Sequence, residues 1–435
     1  MNINERIKYM TSHHTNSYYN ATAIDMPDFP ALEESKDCDV CVIGGGFTGL
    51  SSALHLAERG YRVILLEGER VSWGASGRNG GLVCTGHRQG PDELEEMMGY
   101  RQAKLLWNIA EEAKNTQQAL IKKHNIPCEY RPGLLMAAHK KRTFPYLVRK
   151  AESLTNKWGY KDVKILEKPA MREILRSDSY HGGLYDKGAG HLHPLNYALG
   201  LARAAKEVGV EIYENTRVTN LVKTTQGQTV KCGKGDVRAK FVVMACNGYL
   251  EGLDKRIAPQ MMPINNFMLA TEVLGEDVCK DLIANGAAVS DTRFVVNYYR
   301  CSTDNRLLFG GGEKYSAKFP KDIKSFVRKY MLEVFPQLKD VGIDYGWGGT
   351  LAVTMNRMPS IGAIEGTVIY AQGFSGQGVL LTTQVGKLIA EVVSGQAERF
   401  DVMANIPSPN FPGGTLLRYP GLVAGMLYYG LRDRL

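Results

Sequence analysis

The strand-like run Asp39-Val40-Cys41-Val42-Ile43 leads directly into Gly44-Gly45-Gly46-Phe47-Thr48-Gly49. Leu50 to Arg59 then carries helical spacing, with Leu50, Ala53, Leu54 and Ala57 on one face and Gly60 to close it. This order restricts the start of the chain to a βαβ unit around a dinucleotide. Gly44 permits the tight turn, Gly46 lets backbone N–H groups approach a pyrophosphate, and Gly49 lets helix and strand pack closely. The phosphates then sit on a helix N-terminus, where free N–H groups and the dipole favour anions. A second apolar strand, Val63-Ile64-Leu65-Leu66, ends in Glu67, 18 residues past Gly49. A carboxylate there grips ribose hydroxyls and argues against a 2′-phosphorylated cofactor.

Two further glycine-rich turns extend the argument. Gly74-Ala75-Ser76-Gly77-Arg78-Asn79-Gly80-Gly81 follows the second strand, and Gly373-Phe374-Ser375-Gly376-Gln377-Gly378 precedes a helix over Val379 to Val393. A nicotinamide cofactor needs only the first turn. A flavin dinucleotide is longer, so backbone must approach it at several places where a Cβ would obstruct. The last helix would aim its N-terminus at the ring, where negative charge builds on reduction. The pattern predicts FAD, held by Gly44, Gly46, Phe47, Thr48, Gly49, Glu67, Ser76, Gly77, Arg78, Asn79, Gly80, Gly81, Val218, Gly248, Gly373, Phe374, Ser375, Gly376, Gln377 and Gly378.

The predicted fold class is α/β, a Rossmann-like FAD-binding domain interleaved with an α+β substrate domain built on an antiparallel sheet. An N-terminal arm covers 1–36. The FAD-binding domain takes 37–84, 188–248 and 347–400, the substrate domain 85–187 and 249–346, and a tail 401–435. A long amphipathic helix with Leu106, Ile109, Ala110, Ala113, Leu120 and Ile121 on one face opens the first excursion. Arg217 to Val222 and Phe241 to Cys246 read as strands that resume the parallel sheet. Phe294 to Tyr299 reads as a strand of the antiparallel one.

At 435 residues the chain is long enough for two or three domains. Its charge of +8 is scattered, with no basic tract interleaved with aromatics, which excludes nucleic-acid binding as an expectation. No apolar stretch approaches the roughly 20 residues of a membrane span, so no integral membrane segment and a cytoplasmic location are expected. The apolar run Leu422 to Tyr429 reads as a packed terminal helix rather than an interfacial anchor. Eight dispersed cysteines suggest free thiols. Cys38 and Cys41 form a CxxC, but on a strand they point to opposite faces, and no metal is expected.

These turns, with His14-Thr15-Asn16-Ser17-Tyr18-Tyr19, Gly190-His191-Leu192-His193-Pro194-Leu195-Asn196, Asp304 to Gly312 and Phe411-Pro412-Gly413-Gly414, resemble the D-amino-acid oxidase superfamily of FAD amine oxidoreductases. The resemblance covers nearly the whole chain. It implies a substrate domain folded over the flavin, gamma-glutamylputrescine or a close analogue as the small-molecule substrate, and oxidation of its free primary amine, with O2 as acceptor. Where sarcosine-oxidase-like relatives attach flavin through a cysteine, this chain has Gly349-Thr350-Leu351-Ala352-Val353, so noncovalent FAD is expected. Where those relatives hold a lysine for oxygen activation, it has Leu308, which leaves oxidase and dehydrogenase both open.

Hydride loss to a flavin requires a neutral amine, which desolvation in an aromatic pocket provides without a dedicated base. The catalytic candidates are His193, Tyr298, Arg300, Arg357 and Gln377. His191 and His193 share a face if their segment is extended, with contact to flavin or substrate and a structural role both open. Tyr298 and Tyr299 face opposite sides of a strand, so at most one lines the pocket. Arg300 or Arg357 would pair with the glutamyl carboxylate, Arg357 being better placed because relatives hold a substrate carboxylate there. Two alternatives stand beside this reading, an oxidase of N-methyl or D-amino acids and a flavin-binding assembly protein without turnover.

Overall fold

The computed structural model describes residues 14–26, 28–314, 318–418 and 420–421. The run Leu422 to Tyr429 lies outside the described residues.

Two sheets organise the chain. In the first, Glu211–Tyr213, Val63–Leu66, Lys36–Ile43, Asp236–Met244 and Val368–Gln372 run parallel in that spatial order, and Ser360–Ile364 adds an antiparallel edge. Val40, Cys41, Val42, Val242 and Val243 are fully buried, as continuous apolar strands require when both faces are covered. Helices Phe47–Ala57, Pro194–Glu207 and Gly378–Val393 supply one cover. The first and last of these cross closely at Gly386, where a Cβ would lie 2.6 Å from the side chain of Ser51.

The expected strand Arg217 to Val222 is instead Asn220–Thr224, which forms an antiparallel hairpin with Gly227–Lys231. That hairpin pairs with residues 236–239 of the strand whose residues 242–244 pair with Val368–Tyr370. Thr219 N–H donates to Lys231 O, so contact with the partner strand begins there and not at Arg217.

The second sheet has nine strands, drawn mainly from residues 85–187 and 249–346, with Leu82–Val83 at one edge and Ile343–Val353 at the other. Its neighbours are antiparallel except where Ala288–Asp291 lies parallel to Arg131–Ala137, the seam between the two excursions. Gly182–His191, a central strand, escapes the sequence pattern because its five residues other than glycine and alanine include Asp186 and Lys187. The strand expected over Phe294 to Tyr299 begins only at Tyr298. Asp291 explains the delay: its Oδ1 accepts the N–H groups of Arg293 and Asn297, which curls the intervening residues into a loop.

Helix Tyr100–Lys123, drawn with the substrate domain from sequence, packs in the same apolar cluster as Gly378–Val393. Thr116 Oγ1 donates to Gln384 Oε1 at 2.7 Å and Gln117 Nε2 to Val379 O at 2.9 Å. Cys38 and Cys41 are both buried, and both are free thiols. Among the described residues no helix is long and apolar enough to cross a membrane.

Candidate functional site

At the first turn Gly44 has φ +105°, and a Cβ there would lie 2.8 Å from Ala245 O. A Cβ on Gly49 would come within 1.9 Å of Gly44 O, so helix and turn touch through bare backbone. The helix starts on Gly46 without a side-chain cap, which presents its first-turn N–H groups to a ligand. Glu67 closes the turn from the second strand. Its Oε2 accepts Gly45 N–H at 2.7 Å and its Oε1 accepts Glu69 N–H at 2.9 Å. Burial raises its pKa, with both N–H bonds opposing.

Phe47 N–H donates to Ser76 Oγ at 3.0 Å, so the second turn is tied to the first. Arg78 is buried and donates to Trp73 O at 2.6 Å and Gly348 O at 3.1 Å, its guanidinium 4.1 Å above the Trp73 ring. Asn79 braces the loop, giving its amide N–H to Ala75 O and Ser76 O and accepting Gly81 N–H. Gly77 and Gly80 are equally confined: a Cβ would meet Ser72 O at 2.3 Å and the Tyr298 ring at 2.6 Å.

The third turn combines Gly373 at φ +72°, Ser375 at +53° and Gly376 at +89°. Gly373 N–H donates to Asn247 Oδ1 at 2.9 Å and Ser375 N–H to Ala352 O at 3.0 Å. The following helix, Gly378–Val393, has Gln377 as N-cap with no side-chain cap bond. The Gln377 Oε1 atom is buried without a hydrogen-bond partner among the described residues, an acceptor that a ligand N–H would satisfy.

Phe47, Ser76, Arg78, Asn79, Gly80 and Phe374 to Gly378 line one cavity of about 590 Å³, within the usual range for small-molecule sites. Gly248 lies in the one-turn segment Asn247–Tyr249 beside that wall, and Val218 packs at the margin of the first sheet's outer apolar cluster. Three Cβ-free bends, two uncapped helix starts and an unpaired amide oxygen fit an elongated dinucleotide with a ring at one end.

The catalytic candidates separate. Tyr298 lines the cavity and its hydroxyl donates to Asn266 Oδ1, whereas Tyr299 is buried in the cap core with its ring stacked 5.1 Å from Phe309. Arg357 and Gln377 also line the cavity. Arg357 holds φ +64°, and its guanidinium sits 5.9 Å from the Phe294 ring. Leu308 is fully buried in the core, and Gly349 lies on the cavity wall.

Arg300 departs from expectation. It is 2 % exposed, and its Nε and Nη2 donate to Gly80 O at 3.1 Å and Leu192 O at 3.0 Å. Those bonds join the second turn to the segment before Pro194, and Arg300 is not among the residues that line the cavity described above.

His193 is likewise structural. Its Nδ1 accepts Asn196 N–H at 3.1 Å, capping helix Pro194–Glu207. Thr22 Oγ1 already donates to Tyr18 O, so Nε2–H donates to Thr22 Oγ1 at 3.0 Å, which sets the tautomer. His191 Nε2 bonds Gly286 O at 2.9 Å. Burial, then the Arg300 charge, lowers both imidazoles to about 3. The two rings hold separate structural contacts rather than a shared catalytic face.

Sequence reasoning missed several wall residues: Asn266, Glu93, Tyr146 and Lys150. One of them left a signal. In helix Phe144–Asn156, Lys150 stands among Leu147, Ala151 and Leu154 on the buried stripe, where an isolated cation is unusual.

Residues 39–392 match the family described as DAO, FAD dependent oxidoreductase, and the chain belongs to that family. It is an FAD-dependent oxidoreductase of the class acting on amines and amino acids. It is 43% identical over 97% of its length, and 99% of the relative, to gamma-glutamylputrescine oxidoreductase of Escherichia coli K12. It is 38% identical over 98% of its length, and 99% of the relative, to the probable oxidoreductase OrdL of Haemophilus influenzae. Its fold is that of glycine oxidase from Geobacillus kaustophilus, with TM-score 0.73 at 20% identity over 85% of this chain and all of that one. The resemblance drawn from the sequence is thus borne out.

Proposed function

We propose that the protein oxidises the free primary amine of gamma-glutamylputrescine, or a close analogue, to the aldehyde with release of ammonia. The observation that carries this reading is the 43% identity to the Escherichia coli gamma-glutamylputrescine oxidoreductase across nearly both full lengths. Bound FAD supplies the two-electron acceptor for hydride from the carbon bearing the amine. The enclosing wall favours the neutral amine by excluding water from it. Tyr298, its hydroxyl engaged by Asn266, gives the methylene chain an aromatic surface, and Gln377 Oε1 offers an acceptor to an N–H group. The resulting imine is hydrolysed to aldehyde and ammonia. O2 is the proposed final acceptor, yielding H2O2.

An anaerobic panel of amines watched through the flavin absorbance tests this. Rapid bleaching by gamma-glutamylputrescine, and slow or absent bleaching by sarcosine and D-alanine, is expected. The reverse ranking would establish the N-methyl or D-amino-acid alternative. Peroxide formed in step with aldehyde on readmitting air would support O2 as acceptor, and aldehyde without peroxide would refute it.

The FAD is proposed to be noncovalent. Acid precipitation of the holoenzyme should leave the yellow colour in the supernatant, and colour retained in the pellet would overturn this.

A further inference from the structure

Lys150 lines the cavity together with Arg88, Glu93 and Tyr146, and it comes from a cap helix rather than from any of the three glycine turns. Its ammonium has no hydrogen bond or ion pair among the described residues. Burial lowers its pKa, Glu93 being the first opposing charge and Arg88 acting in the same sense as burial. Glu93 Oε1 accepts the Tyr146 hydroxyl at 3.3 Å. Other acids in the wall are already engaged. Asp186 Oδ1 accepts from Tyr160, Gly188 and Ala189, and Asp291 is paired with Arg293. Lys150, Arg88 and Glu93 therefore keep open capacity for charged ligand groups.

The following inference rests on the proposed substrate class. In that substrate the reacting carbon carries no carboxylate. The only carboxylate lies about nine bonds away, roughly 11 Å when extended, beside an α-ammonium. A site that accepts it needs a cation and an anion next to each other, well removed from the reacting carbon. We propose that Lys150 and Glu93 bind the α-amino-acid head of the substrate, Lys150 with Arg88 holding the α-carboxylate and Glu93 the α-ammonium. This places the carboxylate contact on the cap rather than on Arg357.

The test titrates the holoenzyme with two ligands that lack the terminal amine of the diamine arm, gamma-glutamyl-n-butylamide and glutaryl-n-butylamide, the second also lacking the α-ammonium. Lys150→Met should weaken the glutamyl ligand roughly 10- to 100-fold, the value of a charge-assisted contact, while Lys150→Arg retains most of the affinity. Glu93→Gln should weaken the glutamyl ligand and leave the glutaryl ligand unchanged. An unaltered flavin spectrum in each variant shows that the fold is kept. Unchanged affinity in Lys150→Met overturns the proposal, as does a loss found in Arg357→Met but not in Lys150→Met. If the wild-type flavin is bleached by gamma-glutamylputrescine and Lys150→Met still binds normally, only the head site fails. If the wild type is not bleached at all, the substrate reading fails with it.

Discussion

Gly49→Ala should lose roughly 10- to 100-fold in FAD affinity, the range that overpacking of a tight interface costs. Its added methyl would lie 1.9 Å from Gly44 O, a backbone atom that cannot turn aside like a side chain. Relief requires the helix starting at Phe47 to move away from the turn, and with it the N–H groups meant for the pyrophosphate. Gly233→Ala is the matched control, because nothing lies within 4 Å of the place its methyl would take. Flavin fluorescence on dilution measures release in both variants. Equal retention would show that the first turn does not grip the cofactor through close backbone contact.

The second large effect concerns acid. His191 and His193 titrate at about 3 in the folded chain, against about 6.5 when unfolded. Protons therefore bind the unfolded chain first. The stability from each neutral ring is complete above pH 6.5 and is lost as pH falls toward 3. By pH 5 the loss is roughly 2 kcal/mol per ring. Asp291, raised to about 6 by burial, acts in the opposite sense over part of this window, so single-site comparison is the cleaner measurement. His193→Asn keeps an N-cap acceptor for Asn196 N–H and removes the titrating ring. Denaturant unfolding of this variant between pH 8 and pH 5 should show a decline about 2 kcal/mol shallower than the wild type. An identical slope would mean that His193 is not held neutral.

Arg300 and His193 show why the site was only partly readable. A histidine two residues from another and an arginine on a strand beside two tyrosines look like chemistry. Yet Arg300 reaches Gly80 O and Leu192 O, partners 220 and 108 positions away. His193 serves its own helix and Thr22, 171 positions away. Nothing in the local pattern tells a donor committed to such carbonyls from one facing a substrate. Tyr298 was half readable, since alternation along a strand requires it and Tyr299 to part company, but not which of them meets the cavity. Lys150, a cation on an apolar stripe, went unread in the sequence, and only the fold puts it on one cavity wall with Arg88 and Glu93.

The glycine bends, the two buried strands around them and the acid at Glu67 follow from residue order, because tight turns and absent Cβ atoms are local demands that only certain residues meet. Which polar side chains face the cavity and which are buried as struts came from the folded chain alone. That choice depends on strand register and on neighbours drawn from distant segments, and a shift of one residue would exchange the two faces.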